Sequence, residues 1–163
     1  NKYSRLTGFD FDLDGKISES GKINKYLLTS LNQISFYNSN YPKSLGVEWV
    51  ENKIFPLIDS YNLSVEDILR TYVEHIAIQI SNNLKAVDSK ILVSGGGVKN
   101  KFLMERIKKV SNHNFETISE KIIDYKEALV FGFLGVLKIR NENNCLKSVT
   151  GAKFDHSSGI IFE

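Results

Sequence analysis

The sequence predicts an α/β chain in which helices dominate and strands are few. Two short runs, Lys90 to Ser94 and Phe115 to Ile118, flank a single amphipathic stretch from Lys101 to Val110. Elsewhere the apolar residues recur mostly at spacings of three and four, the period of a helix. The first short run ends in Gly95, Gly96 and Gly97, directly before a segment that can start a helix. Two strands joined by one crossover helix are expected to be parallel, in a right-handed unit. Ligands of such sheets bind beyond the carboxyl ends of the strands, which is where the glycines stand.

Residues 1–163 amount to one domain or a fragment of a larger one, and a 42% apolar content is enough for a core. No segment is long enough to cross a membrane. Asn1 to Arg5 carries neither an apolar signal core nor an initiator Met, so the gene is expected to begin further upstream. A single Cys145 excludes a disulfide framework and fits the reducing cytoplasm. The net charge of +2 is spread along the chain. Its densest basic run, Lys99, Lys101, Arg106, Lys108 and Lys109, reads as a solvated helix face rather than a nucleic-acid surface.

From the start of the chain, Asp10-Phe11-Asp12-Leu13-Asp14-Gly15-Lys16-Ile17 imitates a calcium-binding EF-hand loop. The bidentate Glu that closes such a loop is replaced by Gly21, and Glu19 falls two residues early, so calcium binding is not expected. Ile23, Leu27, Leu28, Leu31 and Ile34 predict a helix over about Lys22 to Ser35. Tyr41 to Gly46 is a loop by its Pro and Gly, with Lys43 either a solvated loop lysine or a phosphate or sugar contact. Val47, Val50, Ile54, Leu57 and Ile58 form a helical stripe that Pro56 should kink or restart.

Ser64 is expected to cap a long helix running to about Leu84, with Asp67 in the capping-box position. That helix packs against the sheet and shows no obvious chemistry. His75 reads as a satisfied histidine at the surface or boundary, because no second His or Cys lies at metal spacing. Asp124 should open the last helix with Glu127 completing a capping box, and Leu129 to Ile139 is apolar almost all round and therefore expected to be buried. Gly132 and Gly135 would let a neighbour approach.

The glycine turn is the strongest chemical signal. Backbone N–H groups and the positive end of a helix dipole converge there, which suits a phosphate. The dinucleotide-binding fingerprint fails because Asn100 stands where its third glycine belongs, and the Walker A loop fails because no Gly-Lys-Ser/Thr follows. A phosphate site and a plain tight turn remain open on these residues alone.

Val93-Ser94-Gly95-Gly96-Gly97-Val98-x-Asn100-x-x-Leu103-Met104 resembles the Ser-Gly-Gly-Gly-x-x-Asn segment of the anhydro-N-acetylmuramic acid kinases. Four further segments follow that family in order. They are the Asp12 to Gly21 turn, Pro42-Lys43-Ser44-x-Gly46, Asp124-x-x-Glu127-Ala128, and Val149-Thr150-Gly151-Ala152 with its closing turn and strand to Phe162. Half of the family's Arg-Glu pair after the Gly survives, as Val47-Glu48.

The resemblance implies the later part of an actin-like, ribonuclease H-like nucleotide-binding domain, in the C-terminal half of a two-domain sugar kinase. It implies ATP and Mg²⁺ as cofactors, with Gly95, Gly96, Gly97 and Asn100 at the nucleotide and Lys43 and Glu127 toward the substrate. A Cβ at Gly96 would then fill ligand space and strain any positive φ. The implied reaction phosphorylates the sugar 6-oxygen and opens the 1,6-anhydro ring with a water, in cytoplasmic peptidoglycan recycling. No catalytic residue is assigned here, since the family's general base lies in a Phe-Asp-x-x-x-x-Asn segment expected upstream of Asn1. The open sheet edge is expected to be bare or covered by a second copy as a homodimer. The rival readings are another sugar or acetate kinase, and a non-catalytic α/β interaction fragment.

Overall fold

Ser64 starts the helix on which the first part of the molecule is built. Its hydroxyl accepts from the Asp67 N–H at 3.2 Å, and α6 (Val65–Asn83) follows with Glu66 and Asp67 in its first turn. Acidic side chains there complement the helix dipole. Asp67 does not close a capping box as expected. Its carboxylate instead accepts from the Lys22 N–H at 2.6 Å, and Thr71 accepts from the Asn24 N–H at 2.9 Å. Two polar side chains of α6 thus hold the connection between α1 (Lys16–Ser20) and α2 (Lys25–Asn32). That use keeps residues 22–24 out of the helix expected from Lys22, and Asn24 caps α2 by accepting from Leu27 N–H.

The computed structural model describes residues 1–40, 43–84 and 90–162, which form two compact units, Asn1–Ile118 and Ser119–Glu163. Tyr41 and Pro42 of the expected loop lie outside the described residues. After the short α3 (Ser35–Asn38), the stripe around Pro56 forms α4 (Val47–Trp49), a π-helical turn (Val50–Ile54) and α5 (Phe55–Asp59). Pro56 sits at the start of α5, directly after the π-helical turn, so the helix changes type where its N–H is missing. Tyr3, Leu27, Leu31, Ile54, Ile58, Ile68 and Leu69 close the larger core between these helices and α6.

The predicted parallel pair is present as β1 (Lys90–Val93) and β2 (Asn114–Thr117), in register from Lys90 opposite Asn114 to Val93 opposite Thr117. Between them runs α7 (Lys101–Val110). Ala77 of α6 joins Met104 and Ile107 of α7 in a smaller core, with Val93 and Phe115 packed on it. So α6 spans both cores.

His75 is not a boundary residue: it is 2% exposed. Its Nδ1 lies 2.7 Å from Asn32 Oδ1, which also accepts from Gln79 Nε2 at 2.9 Å, and the Tyr37 ring meets it edge-on. Burial pushes the imidazole down to about 4.

In the second unit α8 (Glu120–Ile139) begins four residues before Asp124, so Asp124 and Glu127 lie inside the helix and cap nothing. The expected burial of this helix is also corrected, since none of its residues is buried. A unit this short cannot wrap the largely apolar later half of α8. Nothing lies within 4 Å of a Cβ at Gly132 or Gly135. The closing segment forms α9 (Lys147–Thr150), ended by Gly151 at φ 73°, and an isolated antiparallel bridge of Cys145 with His156. Ile160 to Phe162 forms no strand. No helix of the described residues is long and apolar enough to cross a membrane.

Candidate functional site

β1 leads through Ser94 into Gly95, whose φ of 98° is open to glycine and strained for other residues. The positive φ thus falls on Gly95 and not on Gly96. Gly96–Lys99 then make one 3₁₀ turn, held by Val98 N–H to the Gly95 carbonyl and Asn100 N–H to the Gly97 carbonyl, each 3.1 Å. Asn100 caps α7: its Oδ1 accepts from the Leu103 N–H at 2.9 Å. The side chain orients the turn, and its Nδ2 makes no hydrogen bond among the described residues. A cap of this kind contributes about 1 kcal/mol.

Facing this turn is the segment that imitates a calcium loop. Asp12 is committed to the start of α1, accepting from the Ile17 N–H at 2.8 Å, the Ser18 N–H at 3.0 Å and the Ser18 hydroxyl. Asp14 and Gly15 are both left-handed, at φ 58° and 79°. The Asp14 carboxylate accepts from Lys101 Nζ at 3.1 Å, across the gap to the first residue of α7. A Cβ on Gly15 would stand 2.4 Å from Asn100 Oδ1 and 2.5 Å from Phe102 Cβ, so the two turns meet without slack.

Together they wall a cleft of about 460 Å³. Asp12, Asp14 and Ser18 line one side, Gly96, Gly97, Lys99 and Asn100 the other, and Leu69 and Val73 of α6 lie between. Nothing approaches within 4 Å of a Cβ at Gly96 or Gly97. At Gly96 and Gly97 the wall is bare backbone, with room for a phosphate chain beside the head of α7. The residues therefore fit ATP. No group of three His, Cys, Asp or Glu residues among the described ones could hold a metal, so a Mg²⁺ here would be held mainly by the nucleotide's phosphates and water.

Of the residues singled out from sequence, Gly96, Gly97 and Asn100 line this cleft, and Gly95 opens the turn. Lys43 does not join them. Its Nζ donates to the carbonyls of Phe36 and Tyr37 at 3.2 and 3.0 Å, and it lines a separate cleft beside the later turns of α6. Glu127 is exposed on α8 of the second unit. The sequence presents Asp12, Asp14 and Gly15 only as a turn and an imitation calcium loop. Their place at the cleft had no local signal, since Asp14 and Lys101 are 87 residues apart.

The sequence pattern of the anhydro-N-acetylmuramic acid kinases matches residues 2–163. The chain is 36% identical to the anhydro-N-acetylmuramic acid kinase of Mannheimia succiniciproducens, over 95% of this chain and 45% of that protein. The proteins of the same name from Haemophilus influenzae and Vibrio parahaemolyticus are 34% and 31% identical, over 95% and 97% of this chain and 46% and 45% of theirs. The chain thus spans less than half the length of these relatives. By its match along nearly all its length, the chain belongs to the anhydro-N-acetylmuramic acid kinase family.

Proposed function

We propose that this chain is the nucleotide-binding part of an ATP-dependent kinase. The enzyme would phosphorylate 1,6-anhydro-N-acetylmuramic acid at its 6-oxygen and open the anhydro ring, in cytoplasmic recycling of peptidoglycan. One observation carries the nucleotide assignment. Gly96 and Gly97 present bare backbone to a cleft at the head of α7, with open space where their side chains would be. A turn that kept its glycines for packing would have protein atoms in that space, which argues against the non-catalytic reading. Family membership favours the anhydro sugar over other sugars or acetate.

ATP supplies the transferable phosphoryl group, and the work of this chain is to position it. The backbone of the glycine turn would hold the ribose and phosphates, the α7 dipole would offset their charge, and Asn100 holds the turn in shape while presenting Nδ2. Lys99 adds a cation to the same wall. Lys43 and Glu127 are proposed on the substrate side, with Lys43 in a cleft of its own.

The test is Gly96→Val in the full-length enzyme. Expected is a Michaelis constant for ATP raised at least tenfold, with that for the sugar changed less than twofold and the circular dichroism intact. Unchanged ATP kinetics in a folded Gly96→Val protein would remove the glycine turn from the active site.

A further inference from the structure

One buried charge cluster plays no part in the cleft itself. Glu74, in the middle of α6, is 7% exposed, which is rare for a carboxylate unless it is paired. Its Oε2 accepts from Arg70 Nη1 at 2.9 Å and from Arg106 Nε at 2.8 Å, and its Oε1 accepts from Arg106 Nη2 at 2.8 Å. Arg106 therefore grips the carboxylate with both prongs of its guanidinium, which fixes direction as well as distance. Arg70 also lies over the Phe102 ring, 5.0 Å from its centre. Both contacts cross from α6 to α7.

Apolar packing by Ala77, Met104 and Ile107 already holds these helices together. Such packing is tolerant of rotation and sliding, whereas a forked ion pair has one geometry. Fixing register is the best-attested role of a buried ion pair. Register matters here because α7 carries the glycine turn at its head. Phe102, beneath Arg70, is one of the two side chains that leave no room at Gly15 on the opposite wall.

We propose that Glu74 is a positioning residue for the nucleotide: with Arg70 and Arg106 it sets the rotation of α7, and so the distance between the Asp12–Gly15 turn and the glycine turn. The inference rests on the nucleotide reading of the cleft. Glu74 does not itself line the cleft, to which α6 contributes Leu69 and Val73. Its effect is passed on through α7.

The experiment compares Glu74→Gln with Ile107→Val in the 163-residue chain. The second variant loosens the same helix contact and leaves the charge cluster whole. Two quantities are read: the dissociation constant for ATP, and amide hydrogen exchange at Leu103 against Leu31 in the other core. Glu74→Gln is expected to weaken ATP at least tenfold and to speed exchange at Leu103 at least tenfold, with Leu31 unchanged. Ile107→Val, compared at equal melting temperature, should alter ATP affinity less than twofold. Should Glu74→Gln not fold, Glu74→Asp keeps the charge, shortens the reach and takes its place, with an effect between the two.

ATP affinity in Glu74→Gln within twofold of the unmodified chain overturns the proposal. So does a loss equal to that of Ile107→Val, because the cluster would then serve stability alone. If the unmodified chain binds no ATP, the nucleotide reading falls. The exchange comparison still decides the positioning role: loosening confined to the head of α7 supports it, and uniform loosening overturns it.

Discussion

Gly15 admits no side chain. Alanine there would be left-handed at φ 79°, which costs about 1–2 kcal/mol, and its Cβ would displace Asn100 or Phe102. Gly15→Ala should therefore lower the melting temperature and weaken ATP together, whereas Gly96→Val weakens ATP and leaves the melting temperature unchanged. Thermal melts and ATP titration of both variants test that contrast. His75 offers a pH test. Its pKa is lowered from 6.5 to about 4 by burial, so between those values the unfolded chain binds more protons than the folded one. Stability then rises with pH across that window and falls as acid is added, by an order of 2 kcal/mol. Glu74 follows a different course. Burial pushes its carboxyl up, but hydrogen bonds from Arg106 and Arg70 outweigh that and hold it low, so its contribution persists until stronger acid. His75→Gln should keep a partner for Asn32 and flatten the loss of stability between pH 6.5 and 4.5, measured by melts across that range. An unchanged slope would place the titration elsewhere.

At the scale of elements, legibility followed distance along the chain. The range of α7 was read correctly from Lys101 to Val110, because its cap, Asn100, and its apolar stripe all lie within the segment. Ser64 worked the same way for α6. The start of α2 was misread because Asp67 and Thr71, 45 and 47 residues on, claim the backbone of Lys22 and Asn24. Arg106 looked like one of several solvated cations, since its partner Glu74 is 32 residues away. In the cleft, the glycine turn was legible because strand, glycines and helix cap are contiguous. The facing wall was hidden because two adjacent left-handed residues leave no period to detect. For α8, apolarity was read correctly and burial was not, as burial depends on what surrounds a helix. Leu129 and Phe131 are 67% and 71% exposed. Replacing both by Ser should shift stability within about 0.5 kcal/mol, as exposed positions do. It should also reduce self-association of the 163-residue chain in light scattering, since exposed apolar patches promote it. A large loss of stability would show that α8 is packed in solution.

At the scale of the whole molecule, binding and turnover separate. Phosphoryl transfer depends on positioning and charge stabilisation by several elements at once. On the proposed reading the cleft provides one of them, a wall for the nucleotide. Of the described carboxylates that line it, Asp12 is held by three donors at the start of α1 and Asp14 by Lys101, so neither is placed as a general base. The relatives that bear the kinase name are more than twice as long as the part matched here. Residues 1–163 alone should consequently bind ATP and raise their melting temperature with it, yet form no 6-phosphate from ATP and the anhydro sugar. Incubation of the purified chain with both substrates, read by mass spectrometry, tests this directly. Appearance of the phosphorylated, ring-opened sugar would mean that a base within this chain suffices.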